Sequence, residues 1–167
     1  DMMNYFRCPL IILLLLSFLF SCSGKEEEEV EKIDRFTLMK IGLDWEKEEW
    51  RKEGIKEADF KQAKTKNPKF ELVLADGIGK GPMCSWVKKY NIPEEECLGI
   101  FRIKVRKVQL LIVEFSTVKR ARELARRLNG YYKANWLFDE VRGEPVLESF
   151  METIIKAKPG RVPVKKK

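Results

Sequence analysis

Cysteines are the residues with which this sequence could most readily do chemistry, because it contains no histidine. Catalytic triads that use an imidazole base, and zinc or haem sites with imidazole ligands, need a side chain that the sequence lacks. The four cysteines are Cys8, Cys22, Cys84 and Cys97. The first two lie on either side of an apolar N-terminal run, and the other two lie in the body of the chain.

Cys22 follows a pattern that is typical of exported chains. Arg7 precedes an apolar run over residues 10–20, which only Ser17 interrupts. This length suits the apolar region of a signal peptide and is too short to cross ~30 Å of hydrocarbon as a helix. Residues 1–21 are therefore predicted to be a signal peptide.

The segment Leu19-Phe20-Ser21-Cys22 resembles the lipobox of bacterial lipoproteins. The resemblance implies that the Cys22 thiol is diacylated with fatty acids such as palmitate, and that cleavage makes Cys22 the first mature residue. Several acyl chains anchor a protein stably, whereas one chain binds a membrane only marginally. In that family, Ser23 in place of aspartate favours the periplasmic face of the outer membrane. An uncleaved anchor and a plain signal peptide are the alternatives.

The charge balance of the chain favours anionic partners. Lys and Arg number 33 against 26 Asp and Glu, which gives a net charge of +7. Such a balance suits phosphorylated lipids, glycan polymers or nucleic acid. Because an exported protein rarely meets nucleic acid, we expect the membrane as a partner through the N-terminal lipid, and an envelope protein or an anionic glycan as the other.

Cys84 and Cys97 allow three interpretations. An oxidising compartment permits a disulfide, but the predicted order of elements sets the two residues too far apart, which favours two separate buried thiols. Met83-Cys84 offers soft ligands for Cu(I). This junction resembles that of heavy-metal-associated domains, which need a second cysteine where Val87 stands. A small thiol-dependent or metal-dependent protein that uses Cys84 remains an alternative function.

The remaining candidate groups are more simply structural. The loop Gly77-Ile78-Gly79-Lys80-Gly81 lies between a strand and a helix, where backbone N–H groups can bind phosphate, but it matches no phosphate-binding motif. Carboxylates occur at Glu114, Asp139 and Glu140 without an evident pairing for acid–base work. A basic helix face, most simply solvated, comprises Lys119, Arg120, Arg122, Arg126 and Arg127. We therefore expect neither an enzyme nor a cofactor.

Composition divides the predicted mature chain into four parts. Residues 22–35 form a charged tether, 36–69 an accessory segment, 70–158 the main domain and 159–167 a basic tail. In the accessory segment, residues 36–41 alternate weakly and predict a short strand that ends at Gly42. Asp44 is then predicted to cap a helix that begins at Trp45, and Gly54 divides this helical segment in two.

From Phe70 the pattern predicts strand, helix, strand, strand, helix and strand, followed by a C-terminal helix. This order is that of the split βαβ arrangement in ferredoxin-like α+β domains. Residues 113–117, with the apolar positions of the next helix, resemble the second half of RNA-recognition motifs and of SPOR domains, which bind peptidoglycan glycan strands. RNA recognition needs aromatic residues where Leu110 and Ile112 stand. A SPOR-like peptidoglycan binder is therefore the alternative to a non-enzymatic binding or scaffolding lipoprotein of the cell envelope.

Two further expectations concern the sheet. A three-residue turn that pairs Val105 with Gln109 would keep charged side chains away from the core face. The C-terminal helix, or residues 45–60, should then cover Leu110 and Ile112 and make a three-layer domain. Ligand binding would move to the rim of the sheet, where the candidate residues are Lys80, Arg102 and Lys104.

Overall fold

The structure, a computed structural model, describes residues 31–74 and 82–161. By internal contacts, the described residues belong to one compact unit. Cys22 and Lys80 lie outside the described residues. The helices are α1 Arg35–Lys52, α2 Phe60–Lys66, α3 Pro82–Lys89, α4 Val118–Leu128 and α5 Pro145–Ser149, which continues as a π-helix, Phe150–Ile155. The strands are β1 Phe70–Leu74, β2 Cys97–Val105, β3 Val108–Phe115, β4 Tyr131–Lys133, β5 Trp136–Asp139 and β6 Lys158–Pro159.

The fold is α+β, as the sequence predicts, with six strands in the order β1-β2-β3-β5-β4-β6 and antiparallel pairing throughout. The ferredoxin-like topology is not confirmed. In a split βαβ unit another strand separates the two connected strands, whereas here β1 pairs directly with β2 and Leu74 lies opposite Phe101. The chain therefore leaves β1 and enters β2 at the same end of the sheet, so these two neighbours run antiparallel.

The predicted three-residue turn between β2 and β3 is wrong. Val105 lies opposite Val108, so the turn consists of Arg106 and Lys107 alone. Arg106 takes a left-handed backbone conformation with φ 56°. Two-residue hairpin turns need such a φ because it matches the twist of the strands. The cost of burying charged side chains, which the charge pattern predicted for this register, does not arise, because Arg102 and Lys104 remain about one-third exposed.

Helices cover both faces of the sheet, and the expected three-layer architecture is confirmed. Leu110 and Ile112 are fully buried. They lie in the core that the sheet shares with α1 and the C-terminal helix. The other face packs against α3 and α4, around Val113, Phe115 and Leu124. Since α1 contributes to the main core, the predicted accessory segment 36–69 belongs to the same compact unit as the sheet.

Helix α1 replaces the predicted strand at 36–41 and the predicted helix start at Trp45. Its N-cap is Asp34, whose Oδ1 accepts a hydrogen bond from the Thr37 N–H at 2.8 Å. The buried residues of α1 recur every fourth position: Leu38, Gly42, Glu46 and Trp50. Gly42 and Glu46 have no apolar side chain. The buried face of α1 therefore lacks the regular apolar spacing from which an amphipathic helix is predicted.

Glu46 and Gly42 fix α1 against the start of β1. The Glu46 carboxylate is buried and accepts hydrogen bonds from the backbone N–H groups of Lys69 at 2.7 Å and Phe70 at 3.0 Å. A Cβ at Gly42 would lie 2.3 Å from the Phe70 ring. The helix therefore approaches the strand more closely than any residue with a side chain would allow.

The predicted division at Gly54 is confirmed. Gly54, at φ 80°, lies just after α1 and separates it from α2. Asn129 ends α4 in the left-handed conformation, which an Asn-Gly pair favours. The N-cap of α4 is Thr117, whose side chain accepts a hydrogen bond from the Arg120 N–H at 3.2 Å.

Candidate functional site

The start and the end of helix α1 contact the sheet at two different places. At the start of α1, the Arg35 guanidinium lies 4.1 Å from the centroid of the Phe101 ring and pairs with Glu114 at 2.8 Å. Near its end, Glu49 pairs with Arg106 at 2.7 Å. We call the first the attachment end, since residues 31–35 enter the domain there, and the second the turn end.

Residues 31–35 are held firmly at the attachment end. The Ile33 N–H donates to Asn135 Oδ1 at 3.0 Å, and its carbonyl accepts from Trp136 Nε1 at 2.7 Å. Asn135 and Trp136 are both buried. The described chain therefore begins at a fixed point on the domain, although the sequence predicted a tether up to residue 35.

A cluster of charged residues occupies the turn end of the face that α3 and α4 cover elsewhere. Val73, Arg102, Leu111 and Asp139 form one row across four strands, and Glu71 and Lys104 form part of the next row. Leu111 is buried on the α3 and α4 side of the sheet. We call this cluster the charged corner; it comprises Glu71, Arg102, Lys104, Asp139 and Glu140.

Two ion pairs organise the charged corner. Arg102 donates to both carboxylate oxygens of Glu140, at 2.7 and 3.3 Å, and this raises the pKa of the guanidinium. Lys104 pairs with Glu71 at 3.2 Å. All four side chains are about one-third to one-half exposed, and such pairs contribute only about 0–1 kcal/mol. A ligand can therefore exchange with these partners at little cost to the fold.

Asp139 is the unusual member of the charged corner. Burial raises the pKa of its carboxyl group, and the nearby Glu140 charge adds to the shift. Its Oδ1 accepts the Glu140 N–H at 2.8 Å, and within residues 31–74 and 82–161 no Lys or Arg lies at ion-pair distance from it. Glu140 itself has a left-handed φ of 62°. A perturbed carboxylate beside a strained backbone is typical of a functional site.

Replacing Asp139 by asparagine is expected to stabilise the protein at pH 7. The folded pKa lies above the unfolded value of 3.8, so this group's contribution to stability is largest below that value and falls as the pH rises through the folded pKa. The asparagine side chain keeps the Oδ1 acceptor and removes the charge. Urea unfolding at pH 7 and pH 3.5 should show a gain only at pH 7; a loss at pH 7 would contradict this account.

The structure brings together Arg102 and Lys104, two of the three predicted ligand-binding residues, and adds Asp139 and Glu140, for which the sequence showed no pairing. The charged corner was missed because its members come from β1, β2 and β5, which the predicted topology arranged differently.

The predicted basic face of α4 is partly engaged within the domain. Arg120 pairs with Glu96, and Arg127 donates to a backbone carbonyl.

Cys97 has a free, buried thiol at the start of β2. Burial raises its pKa to about 11, which keeps it largely protonated near neutral pH. The side chain of Cys84 lies outside the described residues. Among the described side chains, no group of three or more His, Cys, Asp or Glu residues is placed to hold a metal ion.

The Cys97 thiol is expected to react slowly with Ellman's reagent in the folded protein, because only about 0.1 % of a thiol with a pKa near 11 is ionised at pH 8. In denaturing urea it should react at the rate of an ordinary cysteine. Mass spectrometry of the labelled peptides separates Cys97 from Cys84. Rapid native labelling at Cys97 would contradict the buried position.

A shallow groove runs between α1 and the π-helix, with Ile41, Trp45 and Ile154 in its lining. Charged residues of its lining pair with one another, such as Arg51 with Glu48 and Lys47 with Asp44. The groove therefore presents no uncompensated charge that would select a ligand.

Comparisons with models of protein families, with curated proteins and with solved structures find no match to this chain. Across residues 31–74 and 82–161, no helix has both the length and the apolar character that crossing a membrane requires.

Proposed function

We propose that this chain is a lipid-anchored protein of the bacterial cell envelope, whose α+β domain is a non-enzymatic binding or scaffolding module. The Leu19-Phe20-Ser21-Cys22 segment supports the anchor. The observation that carries the binding role is that the charged corner lies on the other face of the sheet from the contact at the attachment end. Arg35 stacks on Phe101, on the face that α1 covers, whereas Arg102, the next residue of β2, lies on the α3 and α4 face.

This arrangement suits a protein that is held on one face and binds on the other. Ile33 fixes the entry of the N-terminal segment on the α1 face, while Arg102, Lys104 and Asp139 lie together on the opposite face. A carboxylate with a raised pKa is retained at a cost in stability, and such costs are common where function requires the group. The ligand we propose for the charged corner is a polar envelope component, recognised through charge-assisted hydrogen bonds.

Neither alternative function gains a specific observation. A SPOR-like glycan binder would use an open sheet face, and here Leu110 and Ile112 are buried beneath helices. The thiol-dependent or metal-dependent alternative depends on Cys84, whose side chain lies outside the described residues.

The anchor is tested by replacing Cys22 with alanine. We expect radioactive palmitate to label the wild-type protein in growing cells and to give no labelled Cys22→Ala product, because acylation takes place on that thiol. The Cys8→Ala variant is the matched control and should be labelled like the wild type. Undiminished labelling of the Cys22→Ala variant would overturn the lipid anchor.

The charged corner is tested with a photo-crosslinking amino acid at Lys104 or, as control, at exposed Lys61 in α2. We expect envelope adducts from position 104 that position 61 does not give, and Arg102→Ala should abolish them while changing stability by less than ~1 kcal/mol. Cosedimentation with purified peptidoglycan sacculi then distinguishes a glycan from a protein ligand. Equal adduct patterns at both positions would contradict a binding role for this corner.

A further inference from the structure

Phe36 is the most exposed large apolar residue among those that the structure describes. Its side chain is 78 % exposed in the first turn of α1, and Leu98, at 53 %, is next. Burying a phenylalanine side chain contributes ~1.5–3 kcal/mol. A surface that covered Phe36 would therefore gain a favourable free energy that the isolated domain lacks. Single exposed apolar residues are common, and the argument therefore depends on where this one lies.

Phe36 and Leu98 lie at the same end of the domain. Arg35, the chain neighbour of Phe36, stacks on Phe101 and pairs with Glu114. A Cβ at Gly99, the chain neighbour of Leu98, would lie 3.1 Å from the Arg35 guanidinium. The two exposed apolar residues therefore flank one contact at the attachment end.

The proposed anchor keeps this end close to a bilayer. Ile33 is fixed to Asn135 and Trp136, and Phe36 follows it by three residues. Between Cys22 and Ile33 a chain of eleven residues spans at most ~40 Å when fully extended. Such a short connection gives the attachment end a high effective concentration at the membrane surface.

Resting on the proposed lipid anchor, we propose that the attachment end lies on the bilayer that holds Cys22, with Phe36 inserted at the level of the lipid headgroups. Aromatic side chains favour this interfacial region. Of the basic residues in this segment, Lys32 suits anionic headgroups, whereas Arg35 and Lys40 already pair with Glu114 and Asp44. Glu31 and Asp34 add negative charge. The apolar contact therefore provides most of the attraction. The charged corner then points away from the membrane.

Depth-dependent fluorescence quenching tests this contact. The full acylated chain carrying Phe36→Trp is reconstituted into vesicles of phosphatidylethanolamine and phosphatidylglycerol, with or without brominated acyl chains. The control is Gln62→Trp, at an exposed position beyond the far end of α1, a helix of 18 residues and ~27 Å. The signal is the fluorescence of each variant minus that of the wild-type protein, which contains four native tryptophans.

We expect brominated lipid to quench the excess fluorescence of Phe36→Trp by about half or more, and that of Gln62→Trp very little, because bromine acts only over short range within the bilayer. Equal quenching at both positions would overturn the proposal. A blue shift at position 36 in lipid-free detergent micelles that depends on protein concentration would also overturn it, because a second copy would then cover Phe36. Mass spectrometry of the same samples reports acylation separately, so a missing lipid anchor is recognised as failure of the proposed function.

Discussion

Replacing Glu46 by alanine is expected to lower the free energy of unfolding by ~2–5 kcal/mol. The carboxylate is only 1 % exposed and accepts the backbone N–H groups of Lys69 and Phe70. Removing it leaves two buried donors without a partner, and each such donor costs ~1–3 kcal/mol. Lys64, whose Nζ lies 3.7 Å from the carboxylate, would lose its partner as well.

Two further variants make the Glu46 measurement specific. Glu48→Ala removes a carboxylate from the exposed side of the same helix, where it pairs with Arg51, and should cost less than ~1 kcal/mol. Glu46→Gln keeps an oxygen acceptor and should fall between the two. Urea denaturation gives all three values. Equal losses for Glu46→Ala and Glu48→Ala would show that the buried hydrogen bonds do not hold α1 to β1.

Replacing Gly42 by alanine is expected to destabilise the protein by ~1–3 kcal/mol, although alanine is the better helix former. Helix propensity alone predicts a gain of about 1 kcal/mol. The new Cβ would lie 2.3 Å from the Phe70 ring. That ring cannot move freely, because it is 2 % exposed and stacks on Phe150 with centroids 6.0 Å apart.

A double-mutant cycle tests the cause. Phe70→Leu shortens the obstructing side chain, so Gly42→Ala should cost ~1–2 kcal/mol less in that background than in the wild type. The readout is the change in urea midpoint at constant slope. A gain in stability from Gly42→Ala alone would show that α1 and β1 are not packed as closely as described.

Most of the sheet and the helices from residue 70 onward follow from the sequence, because local signals agree there. Alternation in β2, the apolar run of β3 and the Asn129-Gly130 stop after α4 each act within a few residues. The strand order does not follow, since many arrangements satisfy the same element order. The predicted register is wrong because it assumes that helices cover the whole face that carries Arg102 and Lys104.

The position of helix α1 and the grouping of the charged corner could not be predicted from the sequence, because both depend on residues that are distant in the chain. Gly42 and Glu46 are buried through one close approach and one pair of hydrogen bonds, and neither is visible without the strand that they contact. Arg102 and Lys104 were identified as candidates, but their grouping with Asp139 depends on the direct pairing of β3 with β5. Long-range pairing of this kind leaves no local trace in composition.

The last strand, β6, affects whether copies of this protein aggregate at high local concentration. It consists of Lys158 and Pro159 alone and borders β4. Proline has no backbone N–H to donate to another chain, and the lysine charge disfavours the approach of a second copy. This edge strand therefore resists intermolecular strand addition. Copies at high local concentration can therefore meet without assembling into cross-β aggregates along this edge.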